Sequence, residues 1–247
     1  RITMKSIAFY NNKGGVAKTT SVINLGYELA RTRRVLIIDT DGQANCSRFF
    51  TDKPKAGLDK ALINVEITPE KALCKTRYDN IDIITATAAL NRATVRFEKL
   101  SDEEQTEIAR KIISFGSEYD YVLLDMPPAL SQMTEKLVSA CDVVFVPIEL
   151  GTFSIQGIPT VTSIVSKCGA RFGGCFVTKF DKKNSADAQL LELLKETLGG
   201  KRLDSKIPFS RVIKNSISGG LTASEYMGWT APAKSYAALA EEIKERV

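Results

Sequence analysis

The chain has 247 residues, 44% hydrophobic, 26% charged and 8% aromatic, with a formal net charge of +5. That composition reads as a globular chain able to bury one sizeable core. It excludes disordered, fibrous and membrane-spanning classes, because no apolar run approaches the ~20 residues needed to cross a bilayer. Histidine is absent, so His-based triads, His-ligated metals and the usual near-neutral general base are excluded, and any chemistry must use carboxylates, lysines, hydroxyls, backbone dipoles or a borrowed metal.

Short apolar runs alternate with longer amphipathic ones along the chain. Ser6 to Tyr10 (SIAFY) reads as a buried strand, followed by the polar loop NNKGGVAKTT (Asn11 to Thr20) and a helical pattern near residues 18 to 32. Val35 to Ile38 is a second strand ending in Asp39-Thr40-Asp41, and Ile81 to Ile84 a third. A helix near 101 to 117 leads into the strand Tyr121 to Leu124, which closes on Asp125-Met126-Pro127-Pro128. Then come a helix near 132 to 140, the strand Val143 to Val146, a helix near 155 to 168, the strand Cys175 to Thr178, and helices near 185 to 198 and 232 to 246. This alternation predicts an α/β fold with a doubly wound, mostly parallel sheet and helices on both faces. No linker or repeat divides it, so a single domain over residues 1–247 is expected. About ten residues precede the polar loop, so no N-terminal helix-turn-helix is expected. The first residues enter a strand rather than a secretion signal, which points to the cytoplasm. Five cysteines without a C-x-x-C pair read as free thiols.

In such sheets ligands bind beyond the carboxyl ends of the strands, where three polar clusters fall. In the first, Gly14 and Gly15 let the backbone turn tightly, and the amides of residues 15 to 20 open a helix whose N-terminus attracts anions. Lysine at that end repels the helix dipole unless an anion is present. Lys18 would therefore reach phosphates and the Thr19 hydroxyl would hold Mg²⁺. Asp125, closing an apolar strand, is a second magnesium-site candidate. Asp39 and Asp41, two residues apart at a strand end, are expected to point the same way, one supporting the metal and Asp41 positioning water.

The segment Lys13-Gly14-Gly15-Val16-Ala17-Lys18-Thr19-Thr20 resembles the deviant Walker A motif, KGGxxK[ST], of the ParA/MinD superfamily of P-loop ATPases. Ile37 to Asn45 (IIDTDGQAN) resembles that family's D-x-D-P-Q-x-N segment, and Tyr121 to Pro128 (YVLLDMPP) its Walker B strand. Val146-Pro147, the Asp181 loop, Ile207-Pro208 and the closing Ala233 to Ile243 are similar to ParA proteins specifically. The resemblance implies an ATP-dependent homodimer with two nucleotides between the subunits, and Lys13 crossing to the partner's ATP. It also implies Lys18 on the phosphates, Thr19 on Mg²⁺, Asp39 and Asp125 in its water shell, and Asp41 on the attacking water. The whole loop from Lys13 to Thr20 would touch nucleotide, with Pro208 and Phe209 beside the adenine.

Two residues depart from the resembled pattern. Ala17 replaces a glycine, which is harmless unless the position needs positive φ, and Gly42 replaces a proline, which should loosen the loop holding Asp41. Between Lys167 and Lys214 there are 11 Lys/Arg against 5 Asp/Glu, a net of +6 in a chain of +5. The basic excess therefore lies in one segment, as nonspecific contact with DNA phosphates requires. The resemblance puts such contacts on Lys182, Lys183, Arg211 and Lys214, and implies a nucleoid-associated partition switch worked by a ParB-like partner. Three rival readings are a MinD-like membrane switch, an ATP-binding scaffold with little hydrolysis, and an iron-sulfur reductase. The weakly amphipathic tail from Leu239 to Val247 disfavours the first and the lack of paired cysteines the last.

Overall fold

The computed structural model describes residues 3–54, 57–64 and 66–247. Eight strands form one sheet: β1 (Lys5–Phe9), β2 (Val35–Asp39), β3 (Leu73–Lys75), β4 (Ile81–Ile84), β5 (Tyr121–Asp125), β6 (Val143–Glu149), β7 (Arg171–Phe180) and β8 (Arg202–Pro208). Their order is β3-β4-β2-β5-β1-β6-β7-β8, parallel throughout except for β3 against β4. The six expected strands are present within a few residues of their limits. Sequence reading missed β3, whose three residues are too few to show a period, and gave no limits for β8, whose polar alternation belongs to an edge. β8 closes on Pro208, a position where no ladder donor is lost.

The helices are α1 (Lys18–Ala30), α2 (Asn45–Phe50), α3 (Leu58–Ile63), α4 (Pro69–Ala72), α5 (Leu90–Phe97), α6 (Asp102–Ser114), α7 (Gln132–Ser139), α8 (Thr152–Gln156), α9 (Ile158–Lys167), α10 (Ser185–Leu198), α11 (Arg211–Ser218), α12 (Ala223–Met227) and α13 (Ala231–Arg246). The pattern expected near 155 to 168 is divided between α8 and α9 at Gly157.

Alternate residues of each strand feed two separate apolar layers. Ala8, Leu36, Val122, Leu124 and Val144 pack toward α3, α5, α6, α7 and α9 on one face. Ile7, Phe9, Ile37, Leu123 and Phe145 pack toward α1, α2 and α13 on the other. Both layers are apolar, which is why the central strands read as nearly continuous hydrophobic runs. Phe9, Phe145 and Phe176 form a ring cluster from three neighbouring strands, with centroids 6.3 and 6.4 Å from Phe9. α13 spends its apolar face here, burying Tyr236, Leu239, Ala240 and Ile243.

The order β2-β5-β1 has a direct consequence for the site. Asp125 stands in register with Phe9 on one side and with Asp39 on the other. The loop after β1 and the ends of β2 and β5 are thereby brought to one point.

Candidate functional site

Ahead of α1 the chain turns through Gly15 at φ 77° and Ala17 at φ 64°, ψ 32°. Both are left-handed, and the second is held by a residue with a Cβ, so the condition under which Ala17 matters is met. A Cβ placed on Gly14 or Gly15 would meet nothing within 4 Å, so both glycines face open space. α1 begins without a side-chain cap and without an acidic residue in its first turn. α2, α3, α4, α5, α9 and α13 also start without a side-chain cap, but α1 alone is led in by the left-handed Gly15 and Ala17 and carries a lysine in its first position. The amide donors of α1 are thus left for an anion, with Lys18 among them.

Lys18 is only 8% exposed, and its ammonium donates to the carbonyls of Asn11 and Lys13, each at 3.0 Å. Burial pushes its pKa below the ordinary value, while Asp125 and Asp41 act in the opposite sense. Two further contacts brace the loop: Asn11 donates to the Pro147 carbonyl at 2.8 Å, and the Thr178 hydroxyl donates to the Val16 carbonyl at 3.1 Å. Neither Asn11 nor Thr178 was singled out from sequence, because a brace between strand ends leaves no local pattern. Lys13, exposed, donates from its ammonium to the Ser154 hydroxyl of α8 at 3.0 Å and stands over a small cavity of about 50 Å³.

Asp125 is 1% exposed, and neither of its oxygens accepts a hydrogen bond of normal geometry. Burial drives its pKa well above the carboxylate range and the Asp39 charge adds to this, while the nearby Thr19 hydroxyl and Lys18 ammonium offset only part. A buried carboxylate with both oxygens free of hydrogen bonds has the chemistry of a cation ligand. Among the described residues no three His, Cys, Asp or Glu side chains gather closely enough to hold a metal alone. That suits Mg²⁺, which keeps waters and takes one or two carboxylates together with substrate phosphates. Thr19, Asp125 and Asp39 are the residues that could hold it.

Asp39 and Asp41 part company. β2 ends at Asp39 and strand alternation stops there, so the two do not share a direction by period. Asp39 Oδ2 accepts from the Ser47 amide at 2.8 Å and the Ser47 hydroxyl at 2.7 Å, and Oδ1 accepts from the Asp41 amide at 3.1 Å. Burial raises the Asp39 pKa against these three hydrogen bonds. Asp39 therefore anchors the start of α2 from beneath. Asp41 is part-exposed, and its Oδ1 accepts from the Gln43 amide at 2.9 Å. The segment is also strained at Ala44, with φ 53°. Gly42 packs against Asn91: a Cβ there would lie 2.6 Å from Asn91 Oδ1, on an exposed side chain that can move.

Beside the loop runs a groove of about 380 Å³ lined by Ala17 and Thr20, by Pro208 and Phe209, and by α11. Phe209 is 71% exposed and offers a ring face to an occupant. Lys214 lies on the wall of this groove, a placement charge counting did not foresee. Lys182 and Lys183 are exposed on the turn into α10, and Arg211 is exposed at the start of α11. Among the described residues none of these four cations forms an ion pair. Three of the seven other cations of the basic segment are matched: Lys179 with Glu149 at 2.9 Å, Lys195 with Glu192 at 2.6 Å and Arg202 with Asp204 at 2.5 Å. Of these acidic partners only Glu149 lies outside the segment, so it alone offsets part of the +6.

Comparison with known proteins follows the same lines. A family model described as an AAA domain matches residues 4–172. The chain is 32% identical to the chromosome-partitioning ATPase Soj of Treponema pallidum, over 98% of both chains. It is 30% identical to the chromosome partitioning protein ParA of Caulobacter vibrioides, over 98% of this chain and 95% of that one. Among solved structures, the septum site-determining protein MinD of Pyrococcus horikoshii, complexed with Mg-ADP, superposes with a TM-score of 0.84 at 22% identity, covering 98% and 96% of the two chains. The AAA-domain match and the full-length likeness to Soj and ParA place the chain in the ParA/MinD family of ATPases.

Proposed function

We propose that this protein is a Mg²⁺-dependent ATPase that works as a dimerising switch to position DNA or another cargo. The observation that carries the reading is the pairing of an uncapped, glycine-led helix start with an unmatched buried carboxylate, Asp125, on the neighbouring strand. A triphosphate would sit on the open amides of α1 against Lys18, with the base in the groove beside Pro208 and Phe209. Mg²⁺, when bound, neutralises phosphate charge in the reaction, and Thr19 and Asp125, with Asp39 behind them, are the groups that hold it. Asp41, free of the constraints on Asp39, orients water. Lys13 leaves its own Ser154 and supplies a cation to the nucleotide of a second copy, completing a site that one chain leaves open.

The ATP-loaded dimer binds DNA without sequence preference through Lys182, Lys183 and Arg211, with Lys214 close to the nucleotide, and a ParB-like partner stimulates hydrolysis and release. The likeness to the chromosome-partitioning proteins Soj and ParA supports this output. A membrane output finds less support, since α13 buries its apolar face and no described helix is long and apolar enough to cross a membrane. DNA binding measured with ATP, ADP and no nucleotide across a salt series, alongside phosphate release, tests the reading. ATP-dependent, salt-sensitive binding with Mg²⁺-dependent turnover is expected; equal binding in all three states would refute it.

A further inference from the structure

The outer wall of the groove is α11, and little of that helix is in the core: of its eight residues only Ser216 is fully buried. Ile213 and Ile217 are partly buried, and both line the groove. A helix this short, held this lightly, depends on anchors outside itself. At its start the Ser210 side chain accepts from the Val212 amide at 3.1 Å. At its end the chain passes through Gly219 and Gly220, the latter at φ 68°, and the Gly220 carbonyl accepts from Arg77 Nη2.

Arg77 comes from the turn between β3 and β4, far from the groove in sequence. Its Nη1 also donates to the Phe49 carbonyl in the last turn of α2 at 3.3 Å, and its guanidinium lies over the rings of Phe49 and Tyr78, 5.0 and 4.6 Å from their centroids. The Tyr78 hydroxyl donates to Glu225 at 2.7 Å, and Glu225 closes the capping box that starts α12. One guanidinium thus joins the end of α2, the β3–β4 turn and the α11–α12 hairpin without lining the groove itself.

We infer that Arg77 is a positioning residue that fixes the base-side wall of the nucleotide groove. The inference rests on the proposed placement of the base beside Pro208, Phe209 and α11. A wall held in place before binding spares the ligand the ordering of α11. The phosphate loop has its own braces at Asn11 and Thr178 and does not draw on Arg77. Loss of Arg77 therefore weakens recognition of the base and leaves recognition of the phosphates alone. A purely structural tie would lower stability and affect both alike.

Calorimetric binding of ATP, ADP and inorganic tripolyphosphate, each with Mg²⁺, to wild type, Arg77→Ala and Arg77→Lys separates these cases. Arg77→Ala should weaken ATP and ADP by one common factor of about three- to tenfold and change tripolyphosphate by less than about twofold. Arg77→Lys, which can still reach the Gly220 carbonyl and the ring faces, should recover part of the loss. Equal weakening of ATP and tripolyphosphate, or unchanged ATP affinity, overturns the inference while leaving the proposed function standing. Wild type that binds tripolyphosphate as tightly as ATP overturns the base site, and Arg77's part with it.

Discussion

Replacing Ala17 by glycine should stabilise the protein, against the usual direction of such a change. At φ 64° and ψ 32° the Ala17 Cβ is crowded by the following carbonyl, a conformation that costs an L-residue roughly 1–2 kcal/mol. Glycine removes that strain but gives the unfolded chain more freedom, an offset of about 0.4–1 kcal/mol. The net gain is about 0.5–1 kcal/mol, or roughly 1–4 °C in Tm for a chain of this size. Ala44, at φ 53° ahead of α2, should respond in the same direction and serves as an internal comparison. Ala17→Val should do the reverse, because a β-branched residue fits the left-handed region worst. Urea unfolding followed by far-UV circular dichroism measures all three. Glycine adopts the left-handed conformation seen here as readily as alanine does, so ATP affinity should change by less than about threefold. If Ala17→Gly loses the ~0.5–1 kcal/mol that glycine costs inside ordinary elements, residue 17 is not left-handed in solution and the loop geometry is wrong.

The Asp125 carboxyl, with its pKa raised in the folded chain by burial and then by Asp39, contributes stability that is full below the unfolded carboxyl pKa of about 3.9 and is lost as pH rises toward the folded value. Without divalent cations wild type should therefore lose stability relative to Asp125→Asn as pH rises above the unfolded carboxyl pKa of about 3.9, and Mg²⁺ with ATP should restore wild type only. Parallel pH profiles in chelator would contradict this. Thr178→Val leaves the Val16 carbonyl without its buried donor and should cost about 1–3 kcal/mol by chemical denaturation, with weaker ATP binding. Replacing Lys182 and Lys183 together by alanine should weaken ATP-dependent DNA binding about equally across sequences and flatten the salt slope by about two per subunit.

Much of the site was legible because its chemistry is local. Lys13 to Thr20 is a contiguous signature, and apolar strands ending in Asp39 and Asp125 mark themselves. Other parts depend on strand order, which composition and period do not carry. The register of Asp125 with both Phe9 and Asp39 follows from β5 lying between β1 and β2. The tie of Asp39 to Ser47 depends on a turn after β2 that strand alternation does not describe. Counting charge along residues 167 to 214 overstated the basic surface, because Glu149 reaches Lys179 from another strand and Lys214 lines the groove beside Phe209. Arg77 had no signal at all: nothing in Lys75 to Tyr78 announces a contact with Gly220, 143 residues away.

In the proposed switch, ATP joins two copies through Lys13. Solution mass by analytical ultracentrifugation, with Mg²⁺ and either ATP, ADP or no nucleotide, tests it for wild type and Lys13→Ala. Wild type should dimerise with ATP only, and Lys13→Ala should bind ATP yet stay monomeric. A dimer that forms without ATP, or one that forms as readily in Lys13→Ala as in wild type, would contradict it.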